Sequence, residues 1–161
     1  GQTYEYSLEI GVGNMVKQYT GENINVYFEP KRCVHATECI RGLGEVFDVE
    51  KRPWVQPDNA AVEDIIKVVE RCPSGALTYE LPSNQQETHP ETRVAYGDDG
   101  EIFMYGDFTL VHNGEVMHLN RAILTSDASN TDNPPFYSKS FSGQGDKEQF
   151  YKPIQDEQFE K

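Results

Sequence analysis

Long apolar runs, an even set of cysteines and a surplus of basic residues are all missing from this chain of 161 residues. Each absence closes off a class of protein. No stretch approaches the roughly 20 apolar residues that span a bilayer, so no membrane partner is expected. No apolar segment follows a basic N-terminus, so the sequence as it stands shows no leader, and the cytoplasm is the expected location. Cysteine occurs three times, at positions 33, 39 and 72. An odd number, with none beyond 72, does not suit the disulfide framework of a small secreted domain. With 14 Lys and Arg against 27 Asp and Glu, the formal net charge is −13. That leaves little to neutralise phosphates, and nucleic acid is not an expected partner. There is no internal repeat, no nucleophile–base pair and no phosphate-binding glycine loop, so an enzyme has little support, with Lewis-acid chemistry at an open iron site as its one opening.

What is present is a modest apolar fraction, 37%, for which a metal centre would be a useful staple. Residues 1–16 are read as an N-terminal extension. Residues 23–29 put Ile24, Val26 and Phe28 on one side and read as a strand ended by Pro30. Residues 37–43 suit a short helix closed by Gly42 and Gly44. Short extended pieces are expected at 46–49 and 54–56, around Lys51-Arg52-Pro53. Asp58 or Asn59 is expected to cap a helix starting near Ala60, with Glu63 and Asp64 in its first turn. Val62, Ile65, Ile66, Val69 and Cys72 fall on one face of that helix, and Pro73 and Gly75 stop it. Residues 77–81 read as a return strand.

Residues 82–91 are polar and read as a linker. Short β-like runs follow at 93–96, 102–105, 108–112, 116–119 and 122–124. Turn signals separate them at Asp99-Gly100, Gly106-Asp107 and Asn113-Gly114, the last a strong hairpin signal. Residues 92–141 are therefore expected to form a small antiparallel β-rich domain, and 142–161 a polar tail. The fold class is α+β. The charge is uneven: residues 15–82 hold 8 basic and 11 acidic side chains, residues 91–161 hold 6 and 13.

The cysteines carry the chemistry. Five residues separate Cys33 from Cys39, the spacing of the outer pair in the C-x2-C-x2-C run of bacterial ferredoxins, and a remote Cys-Pro, here Cys72-Pro73, closes that pattern. The middle ligand position is Ala36. Three thiolates suit one iron–sulfur cluster, either [3Fe-4S] or a [4Fe-4S] whose fourth iron takes His35 or water. Other readings stand beside this one. Cys72 on an apolar helix face is also what a small buried hydrophobe looks like, and His35 is also a loop or cap histidine. Three thiolates and an imidazole would complete a zinc tetrahedron, although a close cysteine pair is missing. Lys31, Arg32 and Arg41 lie close to the first two cysteines, where positive charge would favour the more reduced cluster. His89, His112 and His118 have no cysteine or paired acid at ligand spacing and read as surface or strand histidines.

Beyond the cysteines, Tyr19-Thr20-Gly21, Arg41-Gly42, Glu45-Val46-Phe47, Arg52-Pro53-Trp54 and Cys72-Pro73-Ser74-Gly75-Ala76-Leu77 bring residues 17–80 close to a known pattern. This stretch resembles the divergent single-cluster [4Fe-4S] domains of small bacterial ferredoxin-like proteins. The resemblance implies a small ferredoxin-like α/β domain over 17–81, a cluster on Cys33, Cys39 and Cys72, and electron transfer as its role. More weakly, 121–141 resembles a CDGSH-type (mitoNEET-like) domain. Thr125, Asp127, Tyr137 and Phe141 stand near that family's ligand positions, and none is a good iron–sulfur ligand. The likeness implies a β scaffold that has lost its cluster; an unrelated β module with a Pro-Pro-Phe loop is the other reading. The expected function is one-electron transfer to or from a redox partner with a basic docking face, which the acidic surface would steer. The alternative is a structural or sensory metal-binding adapter, holding iron–sulfur or zinc, whose β domain binds a partner.

Overall fold

The computed structural model describes residues 4–9, 15–33, 38–89 and 91–138. Fold class α+β holds: the described residues form two short α-helices and two antiparallel sheets. The chain divides into two compact units. The first takes Gly1–Lys31, Thr37–Cys72 and Ala76–Glu87; the second takes Arg32–Ala36, Pro73–Gly75 and Thr88–Lys161.

In the first unit, β1 (Tyr4–Glu9), β2 (Met15–Thr20), β3 (Asn25–Phe28) and β4 (Leu77–Glu80) form one sheet in that order. No element was expected over 1–14, although Tyr4, Tyr6 and Leu8 alternate with Glu5, Ser7 and Glu9 in the period of a strand. β1 runs antiparallel to β2, with Tyr6 opposite Gln18. β3 and β4 pair from Asn25 opposite Glu80 to Phe28 opposite Leu77. The other elements are α1 (Glu38–Gly42) and α2 (Val62–Glu70). Between them Phe47 and Val55 form an isolated bridge, the two short extended pieces that the sequence suggested.

The core gathers Tyr19, Ile24, Val26, Val46, Phe47, Val55, Ile65, Val68, Val69, Leu77 and Tyr79. Trp54 meets Tyr19, Phe28 and Phe47 with ring centroids 6.3, 5.1 and 5.9 Å apart. Burial pushes the Tyr19 hydroxyl well above its ordinary value near 10, and the Glu5 carboxylate adds to the effect. Ile65 and Val69 of the expected apolar face are fully buried, and Val62 and Ile66 pack beside them.

The capping expectation fails. Ala60 is extended, α2 starts after Ala61, and no side chain caps it. Asp58 is engaged elsewhere: its Oδ1 accepts from the Glu22 N–H at 2.8 Å. Asn59 Nδ2 donates to the Glu45 carbonyl at 3.1 Å. Gly21 sits tightly under this junction, where a Cβ would lie 2.8 Å from Pro57 Cβ. The Tyr-Thr-Gly mark is therefore a packing requirement between the β2–β3 turn and the segment before α2.

In the second unit, β5 (Arg93–Tyr96), β6 (Ile102–His112) and β7 (Glu115–Leu124) form an antiparallel sheet. The five expected runs merge into three strands. Gly106-Asp107 is not a turn but a bulge inside β6, where the register shifts between Tyr105 and Phe108. Gly106 has φ +113°, and a Cβ there would overlap the Glu91 carbonyl oxygen. Asn113-Gly114 does form the hairpin turn, with φ +51° and +81°. After β7 the chain doubles back: Thr125 N–H donates to the Pro135 carbonyl and Tyr137 N–H to the Ile123 carbonyl, both at 2.9 Å. No helix among the described residues is long and apolar enough to cross a membrane.

Candidate metal centre

The β3–β4 register sets up the cysteine region. Because Phe28 faces Leu77, the chain after Phe28 and the chain before Leu77 leave the same end of one ladder. Cys33 comes five residues past Phe28, after a 3-10 turn over Pro30–Arg32. Cys72 comes five residues before Leu77. A further backbone bond, Glu29 N–H to the Ala76 carbonyl at 2.8 Å, extends the pairing toward both cysteines.

The helices set the places of Cys39 and Cys72. Cys39 lies in the first turn of α1, and its carbonyl accepts from the Leu43 N–H at 3.1 Å. Gly42, three residues on and so on the same face, is packed against α2, where a Cβ on it would stand 3.2 Å from Val68 Cγ2. Cys72 follows Val68 by one helical turn. It lies past the end of α2, not within it: Arg71 is the C-cap, and the Cys72 N–H donates to the Val69 carbonyl at 3.0 Å. Both Cys39 and Cys72 are half-buried against the core of the first unit. Cys33, also half-buried, belongs to the second unit. All three carry thiols. His35 and Ala36 lie outside the described residues.

The donor set fits an iron–sulfur cluster. Half-buried thiols are shielded from bulk water yet not sealed in. Pro73 follows the last thiol without bringing a donor of its own.

The nominated cations separate sharply. Lys31 and Arg41 are exposed, whereas Arg32 is buried. Its Nη2 donates to the carbonyls of Ser74, at 2.8 Å, and Arg121, at 2.6 Å. Its guanidinium carbon stands 4.7 Å from the centroid of the Phe136 ring, a cation–π distance. Sequence reasoning placed Arg32 near the cysteines but not in the interior. No local signal distinguishes a buried arginine from its exposed neighbour Lys31.

The residues compared with CDGSH ligands are built into the loop after β7. Thr125 is buried, and its Oγ1 accepts from the Asp127 N–H at 3.0 Å. Asp127 caps a 3-10 turn over Ala128–Asn130, its Oδ1 accepting from Ser129 N–H at 2.9 Å and Ser129 Oγ at 2.8 Å. Tyr137 is buried, and burial, with Glu101 and Asp99 adding to it, raises its hydroxyl above the ordinary value. Phe141 lies outside the described residues. Of the other histidines, His118 Nδ1 and Thr109 Oγ1 sit 3.0 Å apart on the exposed sheet face, a strand pairing as the sequence suggested.

Residues 19–82 match the family described as divergent 4Fe-4S mono-cluster. Two curated relatives are the uncharacterized proteins YjdI of Escherichia coli strains K12 and O157:H7. Each is 48% identical over 61 residues, covering 38% of this chain and 80% of the relative. No solved structure matches the chain. The matched segment holds all three cysteines and the β3–β4 ladder, and on this identity and coverage the chain belongs to the divergent 4Fe-4S mono-cluster family.

Proposed function

We propose that Cys33, Cys39 and Cys72 hold a single iron–sulfur cluster and that the chain serves as a one-electron carrier for a redox partner protein. The observation that carries this reading is the Phe28–Leu77 register, which sends the Cys33 and Cys72 loops out of one end of one ladder. His35 or a water is the candidate for the fourth iron, since Ala36 stands where a fourth thiol would be. When bound, the cluster would supply reversible one-electron chemistry. The protein's part would be to converge three thiolates, of which Cys39 and Cys72 are half-buried against the core of the first unit. The chain's charge of −13 suits a partner with a basic docking face.

The second unit, on this reading, is a CDGSH-type scaffold without a cluster. What supports that is the use of Thr125 and Asp127 as hydrogen-bond partners of the loop itself. An adapter role follows from it as the second reading: metal binding would then be structural, and the β unit would serve a partner.

Anaerobic reconstitution with iron and sulfide tests the proposal. A broad band near ~400 nm and about three to four irons per chain, both lost in Cys72→Ser, support it. An EPR signal in the oxidised protein assigns [3Fe-4S]; one only after reduction assigns [4Fe-4S]. One zinc per chain with no retained iron would sink the carrier reading. A cluster whose removal unfolds the chain, without a usable potential, would favour the adapter.

A further inference from the structure

We propose that Arg32 is the positioning residue of the cluster, a buried guanidinium that fixes the two loops bearing Cys33 and Cys72 to strand β7. The proposal rests on the reading of these cysteines as ligands. Arg32 is 4% exposed. Both hydrogens of its Nη2 are used, one on the Ser74 carbonyl and one on the Arg121 carbonyl. One nitrogen thereby joins three stretches of chain. The first is its own, with Cys33 the next residue. The second is Ser74, two residues after Cys72. The third is Arg121 in β7, which is 1% exposed.

Gly75 supports the same conclusion from the backbone side. Its φ is +73°, and a Cβ at this position would overlap both the Arg121 carbonyl oxygen and Arg32 Nη2. The Cys-Pro-Ser-Gly run thus ends in the residue that lets the loop approach the guanidinium. Arginine suits the task because it stays charged when buried, and a charged donor makes stronger bonds to carbonyls than a neutral one. Phe136 covers its face at 4.7 Å. Groups that orient metal ligands from behind typically change metal affinity about 10- to 100-fold when removed.

The test uses the full chain as wild type, Arg32→Ala, Arg32→Lys and, as an exposed-cation control, Arg41→Ala. After anaerobic reconstitution, Arg32→Ala is expected to lose iron to a chelator roughly 10-fold faster or more. Its EPR spectrum should broaden or shift while circular dichroism is unchanged. Arg32→Lys, which keeps the charge and the donors without the planar fork, should fall between, and Arg41→Ala should match wild type. A second measurement needs no cluster. In the apo-protein, alkylation of Cys33 and Cys72 should speed up in Arg32→Ala while that of Cys39 does not. If Arg32→Ala does not fold, Arg32→Lys carries both readouts. Iron loss, EPR and thiol protection all equal to wild type would overturn the role of Arg32. A wild-type chain that takes up no iron overturns the ligand reading instead.

Discussion

The two units of this protein are built on different principles. Among the described residues, the first gathers an apolar cluster of eleven residues and buries one charged side chain, Glu87. The second buries Phe103, Ala122, Ile123, Phe136 and Tyr137, but with them Arg32, Ser74, Glu101, Arg121, Thr125 and Asn130. The first is held by area removed from water, which tolerates change in proportion to the atoms lost. The second also relies on hydrogen bonds between buried polar groups, such as Arg32 to the Ser74 and Arg121 carbonyls and Asn130 to the Asp99 carbonyl, where one missing partner costs more than the bond was worth. The cysteines follow the same division: Cys39 and Cys72 rest on the apolar core, and Cys33 follows the buried arginine of the polar interior.

The largest expected effect sharpens this comparison at the thiols. Cys72→Ser should reduce bound iron from about three or four per chain to near none, as read by iron assay after reconstitution. The near-ultraviolet signals of the second unit should persist, and their loss would break the claim that its interior stands on its own hydrogen bonds. Next comes Phe47→Ala in the apolar core, where Phe47 is 0% exposed. It should cost ~3–5 kcal/mol in denaturant unfolding. A cost below ~1 kcal/mol would show that this core is not what holds the first unit.

A polar deletion in the second unit should cost less in total but more per atom. Asn130 is buried and its Nδ2 donates to the Asp99 carbonyl at 2.8 Å. Asn130→Ala should destabilise by ~1–3 kcal/mol, and an apolar Asn130→Leu should not restore it, because the Asp99 carbonyl stays unsatisfied. Recovery in the leucine variant would mean that the second interior is ordinary apolar packing after all.

The smallest effect is alkaline. Tyr19 in the first unit and Tyr137 in the second both titrate above the ordinary value near 10, chiefly because burial disfavours the phenolate. A group with a raised folded value contributes its full stability below the unfolded value. That contribution is lost as pH climbs from about 10 toward the folded value. Stability should therefore be flat in these groups at neutral pH and fall above about 10. Tyr19→Phe should flatten that limb more than Tyr137→Phe, since Tyr19 is fully buried and Tyr137 is 6% exposed. Equal slopes would remove the distinction between the two interiors at this position.

Much of the first unit was legible because its signals are local. Ile24, Val26 and Phe28 alternate as a strand, and Ile65 and Val69 repeat at helical spacing; both patterns landed in the core. The Asn113-Gly114 hairpin was readable for the same reason: its backbone needs positive φ at two residues in a row, and few residue types adopt it. The bulge at Gly106 was not, because a turn and a bulge ask for the same glycine, and only the partner strand decides which forms. The cap of α2 was misread because Asp58 had a better acceptor task, bonding the Glu22 N–H thirty-six residues away. β1 was missed although its alternation is visible, since a six-residue pattern without turn signals on both sides is a weak one.

By itself, then, the sequence determined the chemistry available: three thiols at ferredoxin spacing, the glycines and prolines that turn the chain near them, and the periodicity that makes α+β the fold class. Those follow from residue type and short-range geometry. Only the tertiary structure decided which of Lys31, Arg32 and Arg41 would be buried, because that depends on a carbonyl of Arg121 lying 89 residues away. The desolvation of a cation is settled by the groups brought around it, and no neighbour in the sequence records them.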